Sequence, residues 1–592
     1  MAGDGSVTGK EGAGELATDG QCTVCNLVAE FRCSGCKQVS YCSKEHQKLD
    51  WKTHKNTCKP YEELGRHLVA TRDINPGEVV LSEVPLVWGP KATSSPEHLA
   101  PCVGCYRPVS LDAGERCASC GWPICSGHCP GLKDLRHHGL ECVALSLRPG
   151  CAVSHLGDYY RHDALMTLRC LLSQKKFAKK YAKIMEFQSH DDERKPHTEA
   201  YQEANDYVVK YLQDNFLHAL RTVETQLNTN LAPEISDKLL HTICGIIDVN
   251  ALDLQLKEGI EITALFSQTC MMEHSCFPNT KHSFDIKSTD EPSQFKITVK
   301  AIMPIRKGGH ITTMYSHALW GTQARREHLK ATKYFDCVCE RCKDPTELGT
   351  YLSAMRCVGK MTEQCGGIQL AEDPCDDTTD WCCDSCDVKV KNEDVIYLVS
   401  QMGEEVETVQ ANGPTVRQLE DLMTKLSTFV HTNHYHLFSV KHSLVQLYGY
   451  QQGYLHHQLS DEILNKKIKM CEELIDITAK IDPANSRLNL YTGVLYHELF
   501  QAKFQLIKNK LKNNEINKDE VGGDANEELK VYLQTAQKVL EDEGDGSAGQ
   551  KLVAVMKDSE RQFTRWINEN KLYKRTFIKY KLDYNIGFKI VI

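Results

Sequence analysis

No stretch of this chain is apolar for long enough to cross a bilayer. Its first twenty residues lack both a basic start and an apolar core, so residues 1–20 read as a disordered leader and not as a secretory signal. Positive charge is not in excess. Lys and Arg number 70 against 79 Asp and Glu, and a net charge of −9 argues against a protein that binds phosphate backbones over its whole length. An intracellular protein is expected, and with no clear basic localisation run the sequence does not separate cytoplasm from nucleus. At 592 residues the chain is too long for one core, and two to four domains are expected.

What the chain has in quantity is cysteine, 28 residues, most of them in C-x-x-C or C-x-x-x-C pairs. That usage fits zinc in a reducing compartment better than disulfides. The first cluster is Cys22-x2-Cys25, Cys33-x2-Cys36, Cys42-x3-His46 and His54-x3-Cys58. Eight ligands in so short a segment would satisfy two zinc ions, and the metals would supply folding free energy that a small core cannot. Some way on, the pattern repeats as Cys102-x2-Cys105, Cys117-x2-Cys120, Cys125-x3-Cys129 and His138-x3-Cys142. His137 is an alternative to His138, and His128 is expected at the surface. Cys276 followed by Cys337-x-Cys339-x2-Cys342 would close a four-thiolate tetrahedral site that ties the later segment back to His274-Ser275-Cys276. Cys151, Cys170, Cys244, Cys270 and Cys471 have no partners at ligand spacing and read as core residues.

Between these clusters the pattern is mixed. Asn75-Pro76-Gly77-Glu78 is a turn signal with a short strand expected on either side over residues 62–90. Ala164, Leu165, Leu168, Leu171 and Leu172 recur at helix spacing within a helical stretch 155–240. Gly245 to Ala251 reads as a short apolar strand ending at Asn250, and residues 295–303 alternate as a strand. From about residue 415 the chain is helical, with Ser460 as an N-cap and a loop over 509–528. The tail after Lys571 is aromatic and basic, and composition assigns it no role.

The run from Tyr41 to Cys58 resembles a MYND zinc finger. Gly65-Arg66-His67, the stretch Met272–Thr280 and His310-Ile311-Thr312-Thr313-Met314-Tyr315 resemble the motifs of the SET methyltransferase fold. Together they resemble the SET and MYND domain-containing (SMYD) family, and the second finger resembles its arthropod-type branch. The resemblance implies zinc pairings Cys22/Cys25/Cys42/His46, Cys33/Cys36/His54/Cys58, Cys102/Cys105/Cys125/Cys129 and Cys117/Cys120/His138/Cys142. It also implies a zinc ribbon on Cys357, Cys365, Cys383 and Cys386, with Cys375 and Cys382 as alternatives.

The expected class is α+β multidomain: a β-rich SET core, inserted and flanking zinc modules, and an all-α tetratricopeptide-like C-terminal domain. The boundaries are a finger at 21–59, a SET domain at 60–316 holding the second finger (101–143) and the helical insertion, a zinc region at 317–390, and helices over 391–592. The implied activity is protein-lysine N-methylation from S-adenosylmethionine. Tyr315 would be catalytic, and Gly65, Arg66, His67, Asn250, Glu273, His274, Tyr315 and Phe335 would bind the donor. Phe335 and Tyr334 would line the lysine channel. Four positions depart from the pattern: His67 replaces a Gly, Glu273 an Asn, His310 a Glu, and Lys333 an aromatic residue. The other class of reading is a scaffold with little or no catalysis, recruiting proteins through its fingers and helices. Implied partners are a protein substrate and proline-containing peptides at the finger, for a monomeric chain without a membrane. DNA is a weaker expectation, carried by Lys37, Lys44, Lys48, Lys52, Lys55 and Lys59.

Overall fold

The computed structural model describes residues 16–25, 27–33, 39–54, 66–91, 99–147, 160–227, 231–256, 260–285, 295–360, 365–517, 521, 526–541 and 548–570. They divide into two units, Met1–Val69 and Ala70–Ile592. In the first, strands β1 (Leu16–Gln21), β2 (Val28–Arg32) and β3 (Ser40–Tyr41) form an antiparallel sheet, followed by α1 (Lys44–His54). Among the described residues its hydrophobic cluster is Cys22, Cys33 and Tyr41 with a few half-buried neighbours, as expected of a unit folded around metal.

The second unit opens with the Asn75–Glu78 turn, where Gly77 takes φ +86°, a conformation that favours glycine. The expected hairpin around it does not form. The residues before the turn contribute isolated contacts, the Ile74–Ile305 bridge and the exchange of hydrogen bonds between Ala70 and Gly308–Gly309, and β4 (Val79–Glu83) pairs instead with a distant strand. The reason is tertiary: a two-residue-wide hairpin is marginal alone, and pairing across the core buries more. After β5 (Val87–Pro90) comes the second finger, with β6 (Leu99–Pro101), β7 (Pro108–Ser110), β8 (Glu115–Arg116), β9 (Pro123–Ile124) and α2 (His138–Leu145). The insertion follows as α3 (Ala164–Lys176), α4 (Ala178–Ile184), a helical run α5 over 199–227, and α6 (Asp237–Asn250).

Helix α6 corrects the strand expected at Gly245–Ala251. A short apolar run does not by itself distinguish strand from buried helix. Here Ser236 accepts from the Leu239 N–H as an N-cap, and Leu239, Leu240, Ile243 and Ile246 fall on one buried face. Gly245 is needed in that helix because a Cβ would lie 2.5 Å from the Ser189 carbonyl.

The SET region then supplies β10 (Leu252–Gln255), β11 (Glu261–Leu265), β12 (Glu273–His274), β13 (Thr280–Asp285), β14 (Lys296–Ala301) and β15 (Thr312–Thr313). They form three small sheets, β10-β11-β5, β13-β14-β4 and the parallel pair β12-β15. Helix α7 (Thr322–Lys333) and the short α8 (Glu340–Lys343) lead to a four-stranded ribbon of β16 (Met355–Arg356), β17 (Ile368–Ala371), β18 (Trp381–Cys383) and β19 (Lys389–Val390). The rest is helical: α9 (Asn392–Ala411), α10 (Val416–Leu426), α11 (Tyr435–Leu447), α12 (Asp461–Ile481), α13 (Asn489–Lys512), α14 (Asn526–Val539) and α15 (Ala548–Asn570). Ser460 caps α12 as expected, while α13 runs to Lys512 and so shortens the loop expected from residue 509. The class is therefore α+β with several metal-ligand clusters. Among the described residues no helix is long and apolar enough to cross a membrane.

Candidate functional site

Five sets of four ligands come together, each with its donor atoms within 4.8 Å of one another: Cys22/Cys25/Cys42/His46, Cys102/Cys105/Cys125/Cys129, Cys117/Cys120/His138/Cys142, Cys276/Cys337/Cys339/Cys342 and Cys357/Cys365/Cys383/Cys386. Tetrahedral zinc with Zn–S near 2.3 Å places thiolates about 3.8 Å apart, so these donor sets fit that ion. The structure decides the open choices. His138, not His137, faces Cys120 (3.3 Å), and Cys383 faces Cys365 (3.7 Å). Cys375 turns away from the ribbon, toward the carbonyls of Cys337 and Cys342. In the remaining set Cys33 meets His54 Nε2 at 3.3 Å, while Cys36 and Cys58 lie outside the described residues. Cys151 lies outside them too, as does the tail from Lys571. Cys170, Cys244 and Cys471 are buried, in keeping with core thiols, and Cys270 is half-buried. His128 is exposed.

Around β12 and β15 the chain crosses itself closely. Asn279 donates through Nδ2 to the His310 carbonyl (2.8 Å) and accepts at Oδ1 from the Thr312 N–H (2.9 Å). The Ser275 N–H donates to the Thr313 carbonyl (2.8 Å). His274 joins the metal set to the tyrosine. Its Nδ1 accepts from the Tyr315 N–H (2.9 Å), so its Nε2 carries the proton and donates to Cys276 Sγ (3.2 Å). The Tyr315 hydroxyl donates to the Met272 carbonyl, and burial pushes its acidity well below that of a free phenol. Phe335 lies against His274, ring centres 5.8 Å apart. The loop entering this site is held by Glu83 at the end of β4, whose carboxylate accepts from the N–H groups of Ser267, Gln268 and Thr269.

The four-thiolate set has a charge counterweight invisible in local spacing. Arg325 Nε donates to Cys276 Sγ (3.2 Å) and its Nη2 to Cys342 Sγ (3.5 Å). Arg325 and Arg341 also meet Glu347 Oε2, at 2.6 and 3.1 Å. Burial alone would raise the Glu347 carboxyl, but the two guanidiniums override it and hold it below the usual range.

Two departures from the motif answer each other. Glu273 Oε2 lies 2.5 Å from His310 Nδ1, so the unusual acid and the unusual imidazole form one pair across β12 and β15. Lys333 does not line a channel; its Nζ donates to the carbonyls of Asp248 (3.1 Å) and Val249 (2.6 Å) at the end of α6. Tyr334 takes φ +59° and stacks on His190 at 4.8 Å. Asn250 spends its amide on the Gln188 and Ile246 carbonyls, both at 2.8 Å, consistent with its place at a helix end. Of the donor turn, Gly65 lies outside the described residues, and Arg66 and His67 belong to the first unit, exposed and half-buried. Glu273, His274, Tyr315 and Phe335 are thus the predicted residues that come together. Arg487, which spacing did not single out, reaches from the α12–α13 loop to Thr313 Oγ1 (2.6 Å). Thr313, the last residue of β15, lies two residues before Tyr315 in the chain.

Family comparison accounts for this arrangement. The MYND finger model matches residues 22–58 and the SET domain model residues 65–316. The chain therefore carries a MYND finger and a SET domain, and it is similar to SET and MYND domain proteins. The SET domain-containing protein SmydA-8, isoform B, of Drosophila melanogaster is 31% identical over 55% of this chain and 64% of its own length, in agreement with an arthropod-type branch. The histone-lysine N-methyltransferase ASHR1 of Arabidopsis thaliana is 24% identical over 72% of this chain and 82% of its own. The histone-lysine N-methyltransferase Smyd1 of Mus musculus is 28% identical over 20% and 26%. The chain spans less than two thirds of the SmydA-8 isoforms it matches, 64% and 63%. A solved SET domain of LSMT, bound to lysine and AdoHcy, overlaps 84% of this chain at 11% identity with a TM-score of 0.22, too slight a likeness to bear on the site.

Proposed function

We propose that the chain is a protein-lysine N-methyltransferase using S-adenosylmethionine, with Tyr315 as the catalytic hydroxyl. The observation that carries this reading is the His274 bridge, which fixes Tyr315 against a metal-stapled loop within a SET domain. The residues also suit the donor. Glu273 Oε2 already meets the His310 ring at 2.5 Å, so that carboxylate oxygen is engaged within the chain. Next to Tyr315, Ser316 Oγ is shielded and has no protein partner, a polar atom left for a bound group.

When bound, S-adenosylmethionine supplies the electrophilic methyl. The protein's part is placement and dehydration. Tyr315 donates its proton to Met272, so the hydroxyl oxygen keeps lone pairs with which to accept from a lysine amine and hold it in line. An amine with a solution pKa of about 10.4 must arrive neutral, and the rings of Phe335 and His274 favour the neutral form by excluding water. Arg487 and the helices behind it would close the same face over a protein substrate, as a tetratricopeptide-like array could. The fingers would serve as docking modules for proline-containing peptides, in nucleus or cytoplasm.

A second reading, a protein-recruiting scaffold without turnover, is favoured by Lys333, which is spent on α6 where the motif has a channel aromatic. Transfer of labelled methyl to a mixed protein substrate separates the two. The enzyme reading expects incorporation that Tyr315→Phe abolishes with zinc content unchanged, and incorporation equal in both proteins would sink Tyr315's role.

A further inference from the structure

Between α7, the ribbon and helices α9 and α11 lies a cleft of about 740 Å³ that excludes Tyr315. Aromatic rings form much of its wall. Tyr435 sits between His434 and His436, with ring centres 4.6 and 4.1 Å away, and Trp320 and Trp381 face the same space. Gly321 at the start of α7 permits this closeness, since a Cβ there would meet the Tyr435 ring at 3.0 Å.

Charge in the cleft does not cancel. Asp336 and Asp377 are matched by Arg326 and Lys330. The exposed carboxylates of Glu327, Glu404 and Glu407 also line the cleft and form no ion pair among the described residues. An independent observation points to a ligand. His434 is 0% exposed, and its Nδ1 accepts from the His436 N–H at 3.3 Å, so the proton is on Nε2. That Nε2 is shielded and has no acceptor among the described residues, and the residue lines the cleft. A buried donor left unpaired is unfavourable and uncommon, and it marks a place for an oxygen from outside the chain.

We propose that this cleft docks a basic, extended segment of a partner protein. Its lysine or arginine heads would meet Glu327, Glu404 and Glu407, and a main-chain carbonyl would accept from His434 Nε2. The alkyl stems would lie on Trp320 and Tyr435. A nucleic acid is the wrong sign for these carboxylates, and a bare cation offers the His434 N–H no acceptor.

The test is fluorescence anisotropy on the full zinc-loaded chain with a dye-labelled peptide of alternating arginine and alanine, which carries no lysine for the SET site. Saturable binding that weakens with salt is expected, with no binding of the matching glutamate–alanine peptide. The double variant Glu404→Lys/Glu407→Lys, at exposed positions of α9, should lose about tenfold in affinity, and Glu560→Lys on α15 should lose none. Tyr315→Phe should bind as the parent does. Equal affinity for the glutamate peptide, or an unchanged affinity in the double variant, overturns the proposal. Loss in Tyr315→Phe would place the peptide in the SET site and overturn it as well.

Discussion

The first finger keeps little more than Cys22, Cys33 and Tyr41 out of solvent and exposes Leu27, Leu49 and Trp51. The second finger, with almost the same ligand spacing, shares one core with the leucines of α3 and buries Trp122 completely. Its metal ligand His138 is held by Glu141 (3.0 Å), and Glu141 by Arg169 (2.7 and 2.9 Å). Arg169 also donates to the Trp88 and Val103 carbonyls and to the Tyr106 hydroxyl. Similar ligand grammar therefore serves two ends. In one finger the metal organises a small module with apolar residues on its surface, and in the other it staples an insertion into the core of the second unit. Spacing specifies the metal site, and the residues between the ligands specify what the site is for.

The largest effect that would break this comparison is loss of a ligand. Cys102→Ser and Cys22→Ser should each remove one zinc by elemental analysis. On the order of 10 kcal/mol couples such metals to folding, so only Cys102→Ser should abolish the main cooperative unfolding transition. A main transition that survives Cys102→Ser unchanged would show that the second finger is as separate as the first. Next is Arg169→Met, which leaves Glu141 buried without its guanidinium and should cost about 3–5 kcal/mol in chemical denaturation. Acid should follow. His162 packs edge-on to Trp122 at 5.2 Å, and burial holds its imidazole down to about 4. With an unfolded value of about 6.5, the unfolded chain takes the proton first. The contribution is then full above that pH and falls away as pH drops toward 4, by about 3 kcal/mol in all. His162→Gln should flatten that slope measured at fixed zinc. The smallest effect is Trp51→Ala in the first finger, which should change stability by no more than about 0.5 kcal/mol. It should nonetheless weaken capture of proline-containing peptides in a titration.

Legibility in the sequence followed the range of the interaction. The ligand sets of the fingers, Cys276 with Cys337–Cys342, and the ribbon could be read because each metal imposes short, repeated spacings. His274 and Tyr315 could be placed because they sit in compact motifs. Glu273 and His310 each stood out as a departure, but their pairing depends on β12 lying parallel to β15, which local spacing does not encode. Glu83, Arg169, Arg325 and Arg487 act across long separations and have no spacing signal at all. Gly245–Ala251, seven residues of which five are apolar or glycine, suits either period when taken without Ser236 and Leu239, so the stretch alone does not reveal helix α6.

The proposal that Tyr315 serves a methyl donor rests on the residues around Glu273 and His310 being able to hold that donor. Calorimetric titration of S-adenosylmethionine into the zinc-loaded chain asks this directly. A saturable heat approaching one donor per chain, weakened by Glu273→Lys at unchanged zinc content, is the predicted result. No heat at millimolar donor would contradict the account and leave the scaffold reading in its place.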